Sequence, residues 1–197
     1  YKDIEPWYDY VETIAGLTGK KEGLSQLPDG KFLPSFGFNC LEAQVAERIK
    51  KNFGGRVMTL GRIAHITEKR DVHGPTRAIC ATRNRCIRGC PFGGYFSSVS
   101  STLPLATASG NMTLRPFSIV TEVIYDKESN KAKGVRIMDA ETMETHEYFA
   151  DIIFLCASAV ASTSILLKSK SDRFPDGMGN DSGELGHNMM YHHFRVV

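Results

Sequence analysis

The chain has 197 residues, of which 42% are hydrophobic and 23% charged, and it carries a formal net charge of +2. That length fits one domain or one large piece of a domain, and the composition is that of a globular rather than a disordered protein. So small a charge gives no argument for nucleic acid or an anionic membrane as partner, and the longest apolar run, residues 152–157, is far short of a membrane span.

The opening residues YKDIEP show neither the basic n-region nor the apolar core of a signal peptide. The chain starts without Met, inside what reads as a helix, and stops on FRVV. An excised segment of a longer protein is therefore expected. Asp3 is placed to N-cap a helix running through about Ile14, with Pro6 in its first turn, Trp7, Val11 and Ile14 on one face and Gly16 as the stop. Residues 16–38 are rich in Gly, Pro and Phe and read as ordered loop or short strands.

The clearest local signal comes next. Asn39 with Glu42 three residues on is a capping-box pair, Leu41, Val45, Ile49 and Phe53 share a helical face, and Gly54-Gly55 ends it. RVMTLGRIAHITE, residues 56–68, alternates loosely enough to contain a strand. From Asn111 the pattern turns to β: strands are expected in NMTLRPF, at 120–126, at 132–139 and at 145–149, the last three forming an antiparallel meander. DIIFLCA, 151–157, is a continuous apolar, β-branched run, expected to be a strand buried on both faces, with Cys156 a small core residue. A helix over 159–168 follows at once.

Three stretches carry chemistry. The turn Ala157-Ser158-Ala159 is made of small residues, Ser158 is a good N-cap, and backbone N–H groups at such a helix start can face a phosphate or a ring edge. Simple strand–cap–helix packing explains the same pattern. CATRNRCIRGCPFGGYFSS, residues 80–98, holds Cys80, Cys86 and Cys90 at spacings C-x5-C-x3-C with His73 nearby. Thiolates so spaced can hold zinc or an iron–sulfur cluster, and Arg83, Arg85 and Arg88 favour thiolates and redox chemistry. The paired C-x2-C units of the usual zinc site are absent, and ordinary loop thiols or a disulfide fit as well. Gly93-Gly94 is loop-like and permits close approach to a ligand. Lastly, GNDSGELGHNMMYHHF, 179–194, sets His187, His192 and His193 close together. Neither HExxH nor GxSxG occurs, so zinc-protease and esterase chemistry are not signalled.

GCPFGGYFSSVSSTLPLA, GNMTLRPFSIVTEVIYD, KAKGVRIMDAET, DIIFLCASAVASTSILLKS and GMGNDSGELGHNMMYHH occur in that order. Together with YKDIEPWYDYVE and LPDGKFLP they resemble the glucose-methanol-choline (GMC) oxidoreductases, in the branch of sugar and sugar-acid dehydrogenases. The resemblance implies an FAD enzyme that oxidises an alcohol group of a sugar or related polyol by hydride transfer to the flavin. The family's Gly-rich fingerprint and its catalytic His–Asn or His–His pair match nothing in this chain, so the catalytic residues are expected outside it, and the fragment is expected to be inactive alone. His192 matches a segment near the domain junction rather than the base.

The implied fold class is α/β: part of an FAD-binding parallel sheet with an antiparallel meander, plus a helical and loop segment of the substrate cap. The implied divisions are 1–68 in the cap, 69–110 a Cys/Gly/Ser-rich connection, 111–170 in the FAD domain and 171–197 the return to the substrate domain. Implied cofactor contacts are the backbone of Val120 toward adenine and the turn Ala157, Ser158 and Ala159, where Ser158 stands in place of the family's usual Gly. Some members of the branch hold an iron–sulfur cluster just before GCPFG. Ala81 stands where a further cysteine would be expected, so no metal or cluster is expected here, with Cys80, Cys86 and Cys90 the residues that would hold one. Expected partners are a small sugar or alcohol and the missing N- and C-terminal parts of the same protein, in a bacterial cytoplasm or periplasm. A non-catalytic, Cys-metal-stabilised or interaction module is the alternative.

Overall fold

The structure, a computed structural model, describes residues 1–191; His192 and His193 lie outside the described residues. The chain forms two compact units, Tyr1–Thr113 and Leu114–Val197. The architecture is α/β, with a parallel two-strand pair in the first unit and a three-strand antiparallel sheet in the second. Among the described residues no helix is long and apolar enough to cross a membrane.

The first unit opens with α1, Glu5–Ala15. Its N-cap is Ile4 rather than Asp3, with no side-chain cap. The amides of Ile4 and Glu5 both turn back to the Tyr1 carbonyl, so Asp3 sits inside a turn and lacks the extended backbone a capping side chain needs. Gly16 ends α1 at φ 71°. Its N–H bonds Thr13 O while Leu17 N–H reaches Glu12 O, the closure that favours glycine. A Cβ there would collide with the Ile66 side chain and stand 3.2 Å from His73 Nε2.

Two short parallel strands follow, β1 (Thr18–Gly19) and β2 (Leu33–Pro34). Residues 56–68 supply isolated bridges rather than a strand: Thr18 to Ile63, and His65 to Tyr95. α2, Cys40–Asn52, has the expected capping box, Asn39 Oδ1 accepting from Leu41 and Glu42 N–H while Glu42 Oε2 accepts from Asn39 N–H. Its apolar face stays open, Leu41 and Phe53 being exposed. α3 is Thr102–Ala108.

The core of this unit is unusually polar, with Leu33 and Ile66 buried beside Thr18, His73, Arg77 and Ser101. Arg77 is fully buried and donates to Ala15 O (2.6 Å) and Gly93 O (3.2 Å), its guanidinium lying over the Phe96 ring. It therefore ties the carbonyl end of α1, where a cation is favoured, to the 93–94 turn.

NMTLRPF, residues 111–117, which begins in the first unit and ends in the second, is not a strand. Phe117 has φ 55°, which breaks an extended run, and Arg115 is instead spent on Asp139 (2.7 Å) and Ser118 Oγ (2.6 Å). The meander is as the alternation demands: β3 (Ser118–Asp126), β4 (Lys131–Asp139) and β5 (Thr145–Phe149), ordered β3-β4-β5. Arg136 on β4 pairs with Glu122 on β3 and Glu147 on β5, a charge ladder across all three strands. Asp139 closes the β4–β5 turn: the N–H groups of Thr142 and Glu141, then Arg115, hold its carboxyl down to about 2.

α4, Ser158–Lys168, packs on β3. Ile165 is buried there, and Ser169 Oγ donates to Ile165 O (2.7 Å) while accepting from Val123 N–H (2.8 Å). The segment 151–157 departs from expectation. No strand forms, Ile152 and Phe154 are 70% and 82% exposed, and Cys156 is exposed rather than in a core. The run has the composition of a central strand, but among the described residues no strand lies beside it to supply a ladder or a cover.

Candidate functional site

The second unit holds the residues expected to meet a dinucleotide. Val120 lies on β3 opposite Ile137, and the register slips between Val120 and Glu122. Thr121 is thus the extra residue of a β-bulge, left without a ladder partner on β4, its hydroxyl donating to Arg136 O (3.1 Å). At the start of α4, Ala157 is the N-cap and Ser158 the first helical residue. Ser158 was expected to cap; it does not, and no side chain caps this helix. Its φ of 69° lies in the left-handed region, where a non-glycine residue costs about 1–2 kcal/mol. The backbone at Ser158 is therefore glycine-shaped although the residue is not glycine. Ala157, Ser158 and Ala159 are all exposed, so the first-turn N–H groups stand open beside small side chains. Such a helix start suits a phosphate or a ring edge.

His187 also belongs to this unit. It is exposed and, with Gly186 and Met189, faces Val160, Thr163 and Leu167 of α4 across a cleft of about 660 Å³.

The first unit holds the cysteines. Cys80, Cys86 and Cys90 line one small recess together with Arg83, Arg85 and Phe92. Its volume is about 20 Å³, room for roughly one water. All three are free thiols. Among the described residues no three His, Cys, Asp or Glu side chains converge closely enough to hold a metal ion.

The histidine beside the trio is not His73. His73 sits in the short turn Asp71–His73, buried against Gly16, with Nδ1 accepting from Arg70 N–H (3.1 Å). Burial and then the Arg77 charge push its pKa down. His65 is the neighbour: its Nε2 lies 3.7 Å from Cys86 Sγ, and its ring stands edge-on to Phe36 and Tyr95. Sequence spacing pointed to the histidine nearer in number; the bridge between His65 and Tyr95, which joins segments distant in sequence, places the other.

Gly93 and Gly94 also serve differently from expectation. They are buried, and a Cβ would stand 2.7 Å from Thr76 O at Gly93 and 3.0 Å from Cys80 Cα at Gly94. They let chain approach chain rather than ligand. Gly94 N–H donates to Cys90 Sγ (3.3 Å). Partial burial opposes ionisation of Cys90, but the N–H groups of Gly94, Phe92 and Tyr95 and the Arg83 charge outweigh it and hold the thiol below its ordinary value.

The sequence is similar to several proteins of known activity. It is 28% identical over 203 residues to the 2-methyl-1,2-propanediol dehydrogenase of Mycolicibacterium austroafricanum, covering 100% of this chain and 34% of that protein. It is 32% identical to the 6'''-hydroxyparomomycin C oxidase of Streptomyces lividus, over 59% of this chain and 21% of that protein. It is 25% identical to the fructose dehydrogenase large subunit of Gluconobacter japonicus, over 98% of this chain and 34% of that protein. The chain thus spans about a third or less of the length of these relatives. Residues 2–194 match the GMC oxidoreductase family, so the chain belongs to the GMC oxidoreductases.

Proposed function

We propose that this chain is the part of a flavin-dependent CH–OH dehydrogenase or oxidase that helps hold FAD and forms part of the substrate cap, acting on an alcohol group of a sugar or related polyol. The observation that carries the reading is the turn at 157–159. An uncapped helix start, small exposed residues and a left-handed backbone at Ser158 form a surface a dinucleotide can approach closely. The bulge beside Val120 supports it, because it leaves backbone groups of Thr121 free of the β4 ladder. The family implies FAD, and these donor groups fit it: neutral N–H groups and small side chains, with no carboxylate among Val120, Ala157, Ser158 and Ala159.

When bound, the flavin supplies the acceptor for the hydride of the alcohol carbon. The residues of this chain would orient the cofactor and exclude water from it. The base that takes the hydroxyl proton belongs to a part of the protein outside the chain, so the chain alone is inactive. The relatives named for propanediol, hydroxyparomomycin and fructose support a polyhydroxylated substrate.

The test is the visible absorption spectrum of the protein as its gene encodes it, with Ser158→Gly and Ser158→Val beside it. Flavin bands are expected in the parent and in the Gly variant. The Val variant, whose β-branched side chain does not tolerate a positive φ, should lose them while retaining its helical circular dichroism. Undiminished flavin in folded Ser158→Val would remove the turn from the cofactor site. Turnover of a polyol by residues 1–197 alone would overturn the assignment of the base.

A further inference from the structure

We infer that His73 is an acid-operated latch: protonation of its ring releases α1 while the other elements of the chain stay folded. This goes beyond the flavin reading and does not depend on it.

The first half of the argument is how α1 is held. None of its residues is buried, and Trp7, Tyr8, Tyr10 and Val11 are mostly exposed. Among the described residues, the only helix or strand that α1 packs against is the short turn Asp71–His73. Its remaining ties include the Asp9–Lys31 ion pair at 3.5 Å, a surface pair of little worth, and the Arg77 bond to Ala15 O at 2.6 Å. A helix of 11 residues is marginal in water by itself, so α1 keeps its shape only while it is docked.

The second half is the setting of the ring. His73 is 1% exposed. Its Nδ1 accepts from Arg70 N–H (3.1 Å), so the ring is neutral there and carries its proton on Nε2. Nε2 faces the end of α1, 3.2 Å from where a Gly16 Cβ would stand, and Arg77 Nη1 lies 3.4 Å from the same point. A proton added to Nδ1 sets donor against donor at Arg70 N–H. It also puts a second cation beside Arg77, which cannot retreat because Ala15 O and Gly93 O hold it. Burial opposes the charge most, followed by Arg77; Arg70 and Lys69 add to it. From α1 the Thr13 carbonyl favours the charge, but Nε2 makes no hydrogen bond. The carboxylates of these elements, Asp71 on the turn and Glu5, Asp9 and Glu12 on α1, make no bond to the ring. The charged ring is therefore accommodated only if it leaves, and the surface under α1 goes with it. Below about pH 6.5 the open form takes up a proton that the docked form refuses. The opening equilibrium of α1 should thus rise about tenfold between about pH 7.5 and 5.5.

The experiment is amide hydrogen exchange read by mass spectrometry on the protein as its gene encodes it, at about pH 7.5 and 5.5, each rate divided by its intrinsic rate at that pH. Peptides covering α1 should lose protection about tenfold at the lower pH, while those covering α2 and β3 to β5 keep theirs. His73→Gln, whose side-chain oxygen can still accept from Arg70 N–H, and His73→Leu should each hold α1 equally protected at both pH values. With two variants, a fold lost in one leaves the other to decide. Protection of α1 that does not change with pH in the parent would overturn the inference. So would a loss shared equally by α2 and the sheet, which marks general acid unfolding, or a loss that persists in either folded variant.

Discussion

Arg77 is the residue whose loss the structure prices most directly. Replacing it with Met keeps the length and much of the volume of the side chain while removing the charge and every donor. Ala15 O then loses a 2.6 Å charge-assisted bond and Gly93 O a 3.2 Å one; Gly94 O keeps its bond from Ile66 N–H at 2.8 Å. Two carbonyls, that of Gly93 in a buried bond and that of Ala15 in a part-buried one, are left unpartnered, at up to about 1–3 kcal/mol each. Against this stands relief from desolvating the guanidinium, which depresses its pKa. The net expectation is a loss of about 3 kcal/mol, read as a urea midpoint lower by about 1–2 M at unchanged slope. Arg77→Lys should recover less than half, since an ammonium cannot span both carbonyls as the planar fork does. An Arg77→Met midpoint within error of the parent would show that desolvation cancels the bonds, and that Arg77 is tolerated rather than stabilising.

Gly16→Ala places a Cβ at φ 71° against Ile66 and should cost at least about 2 kcal/mol in the same denaturation assay. Asn39→Ala removes both capping acceptor bonds at the start of α2 and should cost about 1 kcal/mol; hydrogen exchange of the Leu41 and Glu42 amides will show whether the first turn frays. The folded protein holds His73 below its ordinary 6.5, so His73 contributes stability that is complete above that pH and is lost as pH falls below it. Urea midpoints measured from pH 7.5 to 5 should decline in the parent, and His73→Leu should decline less.

The elements legible in the sequence were those whose cause is local. The Asn39–Glu42 capping box lies within four residues, and α2 starts there. The meander strands carry their own alternation and turn residues, and β3, β4 and β5 lie where these place them. The order of short motifs along the chain was enough to indicate the GMC family, because family membership is a property of sequence.

What depends on distant partners was not legible. Residues 151–157 have the composition of a buried strand, yet Phe154 is 82% exposed, because burial is conferred by neighbours. Ser158 looked like a cap from its hydroxyl, but the chain's path gives it a left-handed backbone instead. His73 looked like the companion of the cysteines, and the fold puts it under α1 while the His65–Tyr95 bridge carries His65 to Cys86. Nothing in the local pattern marks Arg77; only the meeting of α1 with the 93–94 turn makes it the buried strut of its unit. Spacing in sequence sets what a residue can do over one turn of chain. Which side chains share a recess is decided by contacts between segments tens of residues apart, whose energies no local pattern records.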